Sequence, residues 1–85
     1  MNDKVHYIRE RFPDHNHRID LLMAVDTEFL ALSEDYDTCV NALRHWVGSQ
    51  EPEAKTRADE YRILVRELEE EITQVLEGPQ PRRLD

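Results

Sequence analysis

Two stretches of this chain place apolar residues at alternating steps of three and four. In the first, Phe29, Leu32, Tyr36, Cys39, Leu43 and Trp46 follow at steps of 3, 4, 3, 4 and 3. In the second, Ala54, Ala58, Tyr61, Val65, Leu68, Ile72 and Val75 follow at 4, 3, 4, 3, 4 and 3. A helix turns once in about 3.6 residues, so each series falls along one stripe of a helix. A strand, with its period of two, would scatter it over both faces.

The two stretches are joined by Gly48-Ser49-Gln50-Glu51-Pro52. So short a connection makes the helices antiparallel neighbours. The spacing therefore predicts an all-α fold, a coiled-coil-like hairpin of helices over about 27–47 and 53–77. Asp26 is placed to cap the first helix, because its carboxylate can accept from the orphan amides of the first turn. Glu28 lies in that turn, where the helix dipole favours an acid. Gly48 and Gly78 stand where the two patterns stop, and both are expected to take a left-handed backbone there. Glu53 and Arg57 are spaced as an i,i+4 ion pair.

The apolar stripes are wider than one seam needs. The seam itself is expected to be built from Phe29, Leu32, Tyr36, Leu43, Trp46, Tyr61, Val65, Leu68 and Ile72. Leu30, Val40 and Val47 flank the first stripe, Leu64 and Leu76 flank the second, and Ile63 lies further round. A two-stranded coil requires only its a and d positions, so the surplus asks for a third helix, a second chain, or both. Leu30, Val40, Ile63 and Leu64 are the candidates for facing a partner. A third helix is available over about 14–24, opened by Pro13 and carrying Ile19, Leu22 and Met23. Upstream, Val5, Ile8 and Phe12 repeat the 3, 4 spacing and mark a further short helix or a frayed arm. The organisation is then one helical domain over 1–78. Residues 79–85, with nothing to pack, read as a disordered tail.

Composition narrows the function. The chain has 85 residues, 11 Lys and Arg against 19 Asp and Glu, and a formal charge of −8. That length excludes a two-domain enzyme. The sign of the charge argues against a simple nucleic-acid binder, whose phosphate partner it would repel. Residues 26–48 carry one base against five acids, and residues 49–77 carry four against nine, so the acidity sits on the hairpin. Cys39 is the only cysteine, which rules out an intramolecular disulfide. A single core of this size supplies only about 3–5 kcal/mol without a staple, which leaves self-association, a partner or very good helix packing. No apolar run reaches the length of about 20 residues that spans a bilayer. The start of the chain lacks the pattern of a signal peptide, so the expected compartment is the cytoplasm.

Few residues offer chemistry. His15-Asn16-His17 spells a string found in a nuclease family, yet the strands such a metal finger needs are missing. His15 and His17 do not share a helix face. A metal could still use His17 with Asp14 or Asp20, three residues away on either side. Cys39 lies mid-helix in the seam beside Asp35 and Asp37, where burial and acids both raise a thiol pKa. Glu67, Glu69, Glu70 and Glu71 are paired carboxylates without a pocket to split their pKa values, and read as a solvated face. Tyr36, Trp46 and Tyr61 read as core. No catalytic residue, cofactor or metal is expected.

The order of short motifs resembles the YdcH-like family of small bacterial proteins. The resemblance runs over about residues 12–76, through Phe12-Pro13-Asp14, Ile19 and Leu22, then Asp26-Thr27-Glu28-Phe29 and Leu32, then Tyr36 and Cys39, and last Leu68-Glu69-Glu70-Glu71-Ile72. Thr27 stands where the family pattern has Pro, Cys39 where it has Leu, and Glu69 where it has Lys. The resemblance implies a helical hairpin and supplies no activity to carry over.

The expectation is thus a non-enzymatic interaction protein, a hairpin that forms a homo-oligomer, either dimer or tetramer. The alternative is a monomeric adaptor that lends its stripe to a different protein. A His/Asp metal-binding protein is a third reading.

Overall fold

In a computed structural model, which describes residues 6–78, the chain is all-α. The order is α1 (His6–Arg11), a 3-10 turn (Pro13–His15), α2 (Asn16–Val25), α3 (Thr27–Val47) and α4 (Ala54–Glu77). No strand occurs among the described residues. The dominant packing is α3 against α4, the antiparallel hairpin that the two stripes require. Both α1 and α2 pack on α3. The expected tail over 79–85, and Val5, lie outside the described residues.

The joints follow local chemistry. Pro13 opens the 3-10 turn, where its missing amide is not needed. Asp26 has an extended backbone, and its Oδ1 accepts from the amides of Glu28 at 3.0 Å and Phe29 at 3.1 Å. Its own amide donates to the Leu22 carbonyl at 2.8 Å, closing α2. One residue therefore ends one helix and starts the next.

Gly78 has φ 75°, a left-handed value that suits glycine. Gly48 departs from the expectation, with φ −90° and ψ 1°. Its amide donates to the Arg44 carbonyl and that of Ser49 to the Trp46 carbonyl, so the chain winds on for a further turn before it reverses. A Cβ there would make only ordinary contacts. The expected Glu53–Arg57 pair is also absent. Glu53 lies just outside α4, and Arg57 instead meets Glu60 at 3.3 Å.

The core lies at the end of the hairpin remote from the loop. Ile8, Ile19 and Ile72 are fully buried, and Phe12, Phe29, Tyr36 and Leu76 nearly so. Leu32, Val40, Val65, Leu68 and Val75 pack against this cluster half-buried. Leu43, Trp46 and Tyr61 are half-buried towards the loop end. Two residues of the expected surplus belong to this chain's own core: Val40 packs on the cluster and Leu76 is 4 % exposed. The N-terminal segment is the reason, since Ile8 and Phe12 join the same cluster and add a layer there. Ile63 and Leu64 stay exposed, and Leu30 is half-buried.

Candidate functional site

The hairpin has two unlike faces. The first is closed by α1. Six residues are too few for a helix to stand alone in water, so α1 depends on what it touches. The Tyr7 amide, one of the orphan donors of its first turn, donates to Asp37 Oδ1 at 2.9 Å. Asp37 belongs to α3 and is 6 % exposed, so a side chain from another helix caps α1. The Tyr7 hydroxyl donates to Asn41 Oδ1 at 3.0 Å. The Arg44 guanidinium lies 4.9 Å from the Tyr7 ring centre, a cation–π arrangement. Arg9 pairs with Asp20 at 2.6 Å, tying α1 to α2.

At the far end of α1, Arg11 Nε meets Glu69 Oε2 at 3.3 Å. The Tyr36 hydroxyl donates to the same oxygen at 2.8 Å. Burial pushes the Tyr36 phenol far above its ordinary value, and the bond to anionic Glu69 adds to that. Burial likewise raises the Asp37 carboxyl, opposed by the Tyr7 amide and by His6. Glu69 was expected on a solvated face. It is instead half-buried and joins α1, α3 and α4, because it follows Leu68 directly and so borders the seam.

The second face is open. Residues 37, 41 and 44 of α3 meet α1, whereas Leu32, Cys39 and Trp46 run along a line about 200° further round the helix. Along α4, Tyr61, Leu64, Leu68 and Val75 form the matching line. These side chains are half-buried, apart from Leu64 at 42 % exposed. Together they floor a groove between α3 and α4. At its core end the groove deepens into a depression of about 250 Å³, lined by Asp26, Glu28, Phe29, Leu32, Glu71 and Val75. Its base is apolar and its rim carries three carboxylates. At the loop end, a separate depression of about 310 Å³ lies where Trp46 and Val47 meet Ala54 and Ala58, and it opens on the other flank of α4, between Lys55, Asp59 and Arg62. Val47 is 58 % exposed.

The chemistry-bearing residues do not converge. Asp20 is engaged by Arg9, His15 lies 4.0 Å from Glu77, and His17 and Asp14 are exposed. Among the described residues no group of three His, Cys, Asp or Glu side chains could hold a metal ion. Cys39 is half-buried in the groove; burial pushes its thiol up and Asp35 adds to the effect. No helix among the described residues is long and apolar enough to cross a membrane. The polar joint of Tyr7, Arg11, Asp37 and Glu69 went unnoticed in the sequence. Its one visible signal is acids placed next to seam positions, at 37 beside Tyr36 and at 69 beside Leu68.

No family model, curated protein or solved structure matches this chain.

Proposed function

We propose that this chain is a non-enzymatic interaction protein that works by self-association of its helical hairpin. The observation that carries the reading is the open groove between α3 and α4, floored by half-buried apolar side chains on the face that α1 leaves uncovered. Apolar surface at the edge of a seam gains by being covered, and a second hairpin is the simplest cover, closed by twofold symmetry. A cytoplasmic location and membership of the YdcH-like family belong to the same reading. The family assignment rests on the order of motifs from Phe12-Pro13 to Ile72, several of which stand at joints: Pro13 opens the 3-10 turn and Asp26 caps α3.

Sedimentation equilibrium over a hundredfold concentration range is the test. A dimer or tetramer of the 10.1 kDa chain is expected. A monomer at every concentration would overturn self-association and favour the adaptor, which lends the same groove to another protein.

A further inference from the structure

We infer that the second copy lies antiparallel across the open groove, on a twofold axis beside Cys39 and Leu64, with Arg57 of each copy against Glu71 of the other. This rests on the self-association reading and specifies its geometry.

The register of the groove is the ground for it. The core-end depression brings Glu28 and Leu32 level with Glu71 and Val75. At the loop end Trp46 and Val47 stand level with Ala54 and Ala58, at a depression on the opposite flank that fixes the level but is no part of the groove. Between those fixed points, Cys39 of α3 stands level with Leu64 of α4. Leu32 and Trp46 each lie seven residues from Cys39, in opposite directions. Arg57 and Glu71 each lie seven residues from Leu64, again in opposite directions. Seven residues is two turns, or about 10.5 Å of helix. A twofold axis through the Cys39–Leu64 level therefore exchanges Leu32 with Trp46 and Glu71 with Arg57.

Those exchanges are complementary. The partner's Trp46 comes over Leu32 at the apolar depression, and a half-exposed Trp beside a hollow is a favoured anchor of an interface. The partner's Arg57 comes to the carboxylates of Glu28 and Glu71 on its rim. Among the described residues the Arg57 guanidinium has an exposed pair with Glu60 and no other, which is cheap to exchange. A parallel arrangement would set Glu28 and Glu71 of one copy against the same acids of the other. The antiparallel one separates them by the length of the groove and gives each rim a cation.

The charge swap tests this directly. Arg57 and Glu71 stand fourteen residues apart on one helix, about 21 Å, so any coupling between them arises between copies. Sedimentation equilibrium of Arg57→Glu and of Glu71→Arg is expected to show dimer dissociation constants raised about tenfold or more. The double variant should return to within about threefold of the parent. A short bis-maleimide should link Cys39 to Cys39 in the dimer. It should fail in a Cys39→Ser, Arg66→Cys variant, whose thiol lies about half a turn round α4 from the groove. Trp46→Ala, outside the buried cluster, should give a helical monomer. A dimer with neither rescue nor a Cys39 link would overturn this geometry while leaving self-association standing. A chain that is monomeric throughout would overturn both.

Discussion

Asp37 is the residue whose replacement separates two accounts of how α1 is held. If the buried carboxylate is a cap for the Tyr7 amide, the oxygen matters and the charge does not. Asp37→Ala removes the acceptor. Loss of a helix cap costs about 0.5–2 kcal/mol. Full undocking of α1 would further expose Ile8 and Phe12, at about 1.5–3 kcal/mol each, and this sets the ceiling. The expected loss is about 1–2 kcal/mol, because α1 frays at its first turn while Ile8 keeps its place. For a domain of this size each kcal/mol lowers the melting temperature by about 4–8 °C. Asp37→Asn keeps an oxygen for the same amide and removes a charge whose burial is unfavourable. It is expected within about 0.5 kcal/mol of the parent, or above it. Thermal melts by circular dichroism give the stabilities, and hydrogen exchange at the Tyr7 amide reports the cap itself. Equal destabilisation by both variants would refute the cap, since it would mean that the charge carries the contact. A parent-like melt for Asp37→Ala would refute it as well.

Further perturbations probe the rest of the fold. Ile8→Ala should cost about 2–4 kcal/mol in urea unfolding, because Ile8 is fully buried in the shared core. An effect under 0.5 kcal/mol, roughly that of a surface substitution, would show that α1 is not docked. Asp26→Ala should cost about 1 kcal/mol, with exchange of the Glu28 and Phe29 amides accelerated before the rest of α3. Leu68→Asp should unfold the chain by placing an unpaired charge against the core, and an unchanged helical melt would refute the register of α4. For pH, burial lifts the folded-state carboxyl of Asp37 above its ordinary value of 3.8. The folded chain then holds this proton more tightly than the unfolded one. Asp37 thus contributes a cost at neutral pH that is relieved as pH falls through the raised value and is gone below the ordinary one. The difference between Asp37→Asn and the parent should therefore shrink on acidification, as read from urea midpoints at a series of pH values.

The hairpin was legible because it depends on spacing. Two series of 3, 4 steps, a five-residue link and Asp26 before Phe29 set α3 and α4 without reference to anything distant. The docking of α1 was not, since it depends on contacts across thirty residues or more, such as Tyr7 with Asp37 and Arg11 with Glu69. Val5, Ile8 and Phe12 showed helical spacing, but two steps of spacing carry little weight. With that layer unseen, Val40 and Leu76 looked surplus, although the chain covers both itself. Gly48 misled for a related reason. A glycine after a helix suggests a left-handed cap, yet here the chain closes by further winding and needs no special φ. Glu69 looked like one more solvated acid in an acidic run, and the positions of Arg11 and Tyr36 make it a junction.

The two faces of the hairpin differ in the kind of contact they make, and that difference bears on where a second chain would bind. On the α1 face the apolar contact is accompanied by directed polar ones: in sequence Ile8 lies between Tyr7, bound to Asp37, and Arg11, bound to Glu69. Such contacts specify a single register, because a shift of one residue would leave a buried carboxylate without its donor. The groove on the other side has no comparable polar joint. Its floor is aliphatic and aromatic, and its carboxylates stand at the rim in contact with water. A surface of that kind binds by area and shape, while charges at its edge decide orientation. Orientation is then set by the few groups that alternate in sign along the groove. Arg57 is the cation on the line that runs through Leu64 to Glu71. In the proposed antiparallel dimer one arginine per copy would suffice, since twofold symmetry uses each pair twice, and added salt should weaken that dimer less than Trp46→Ala does.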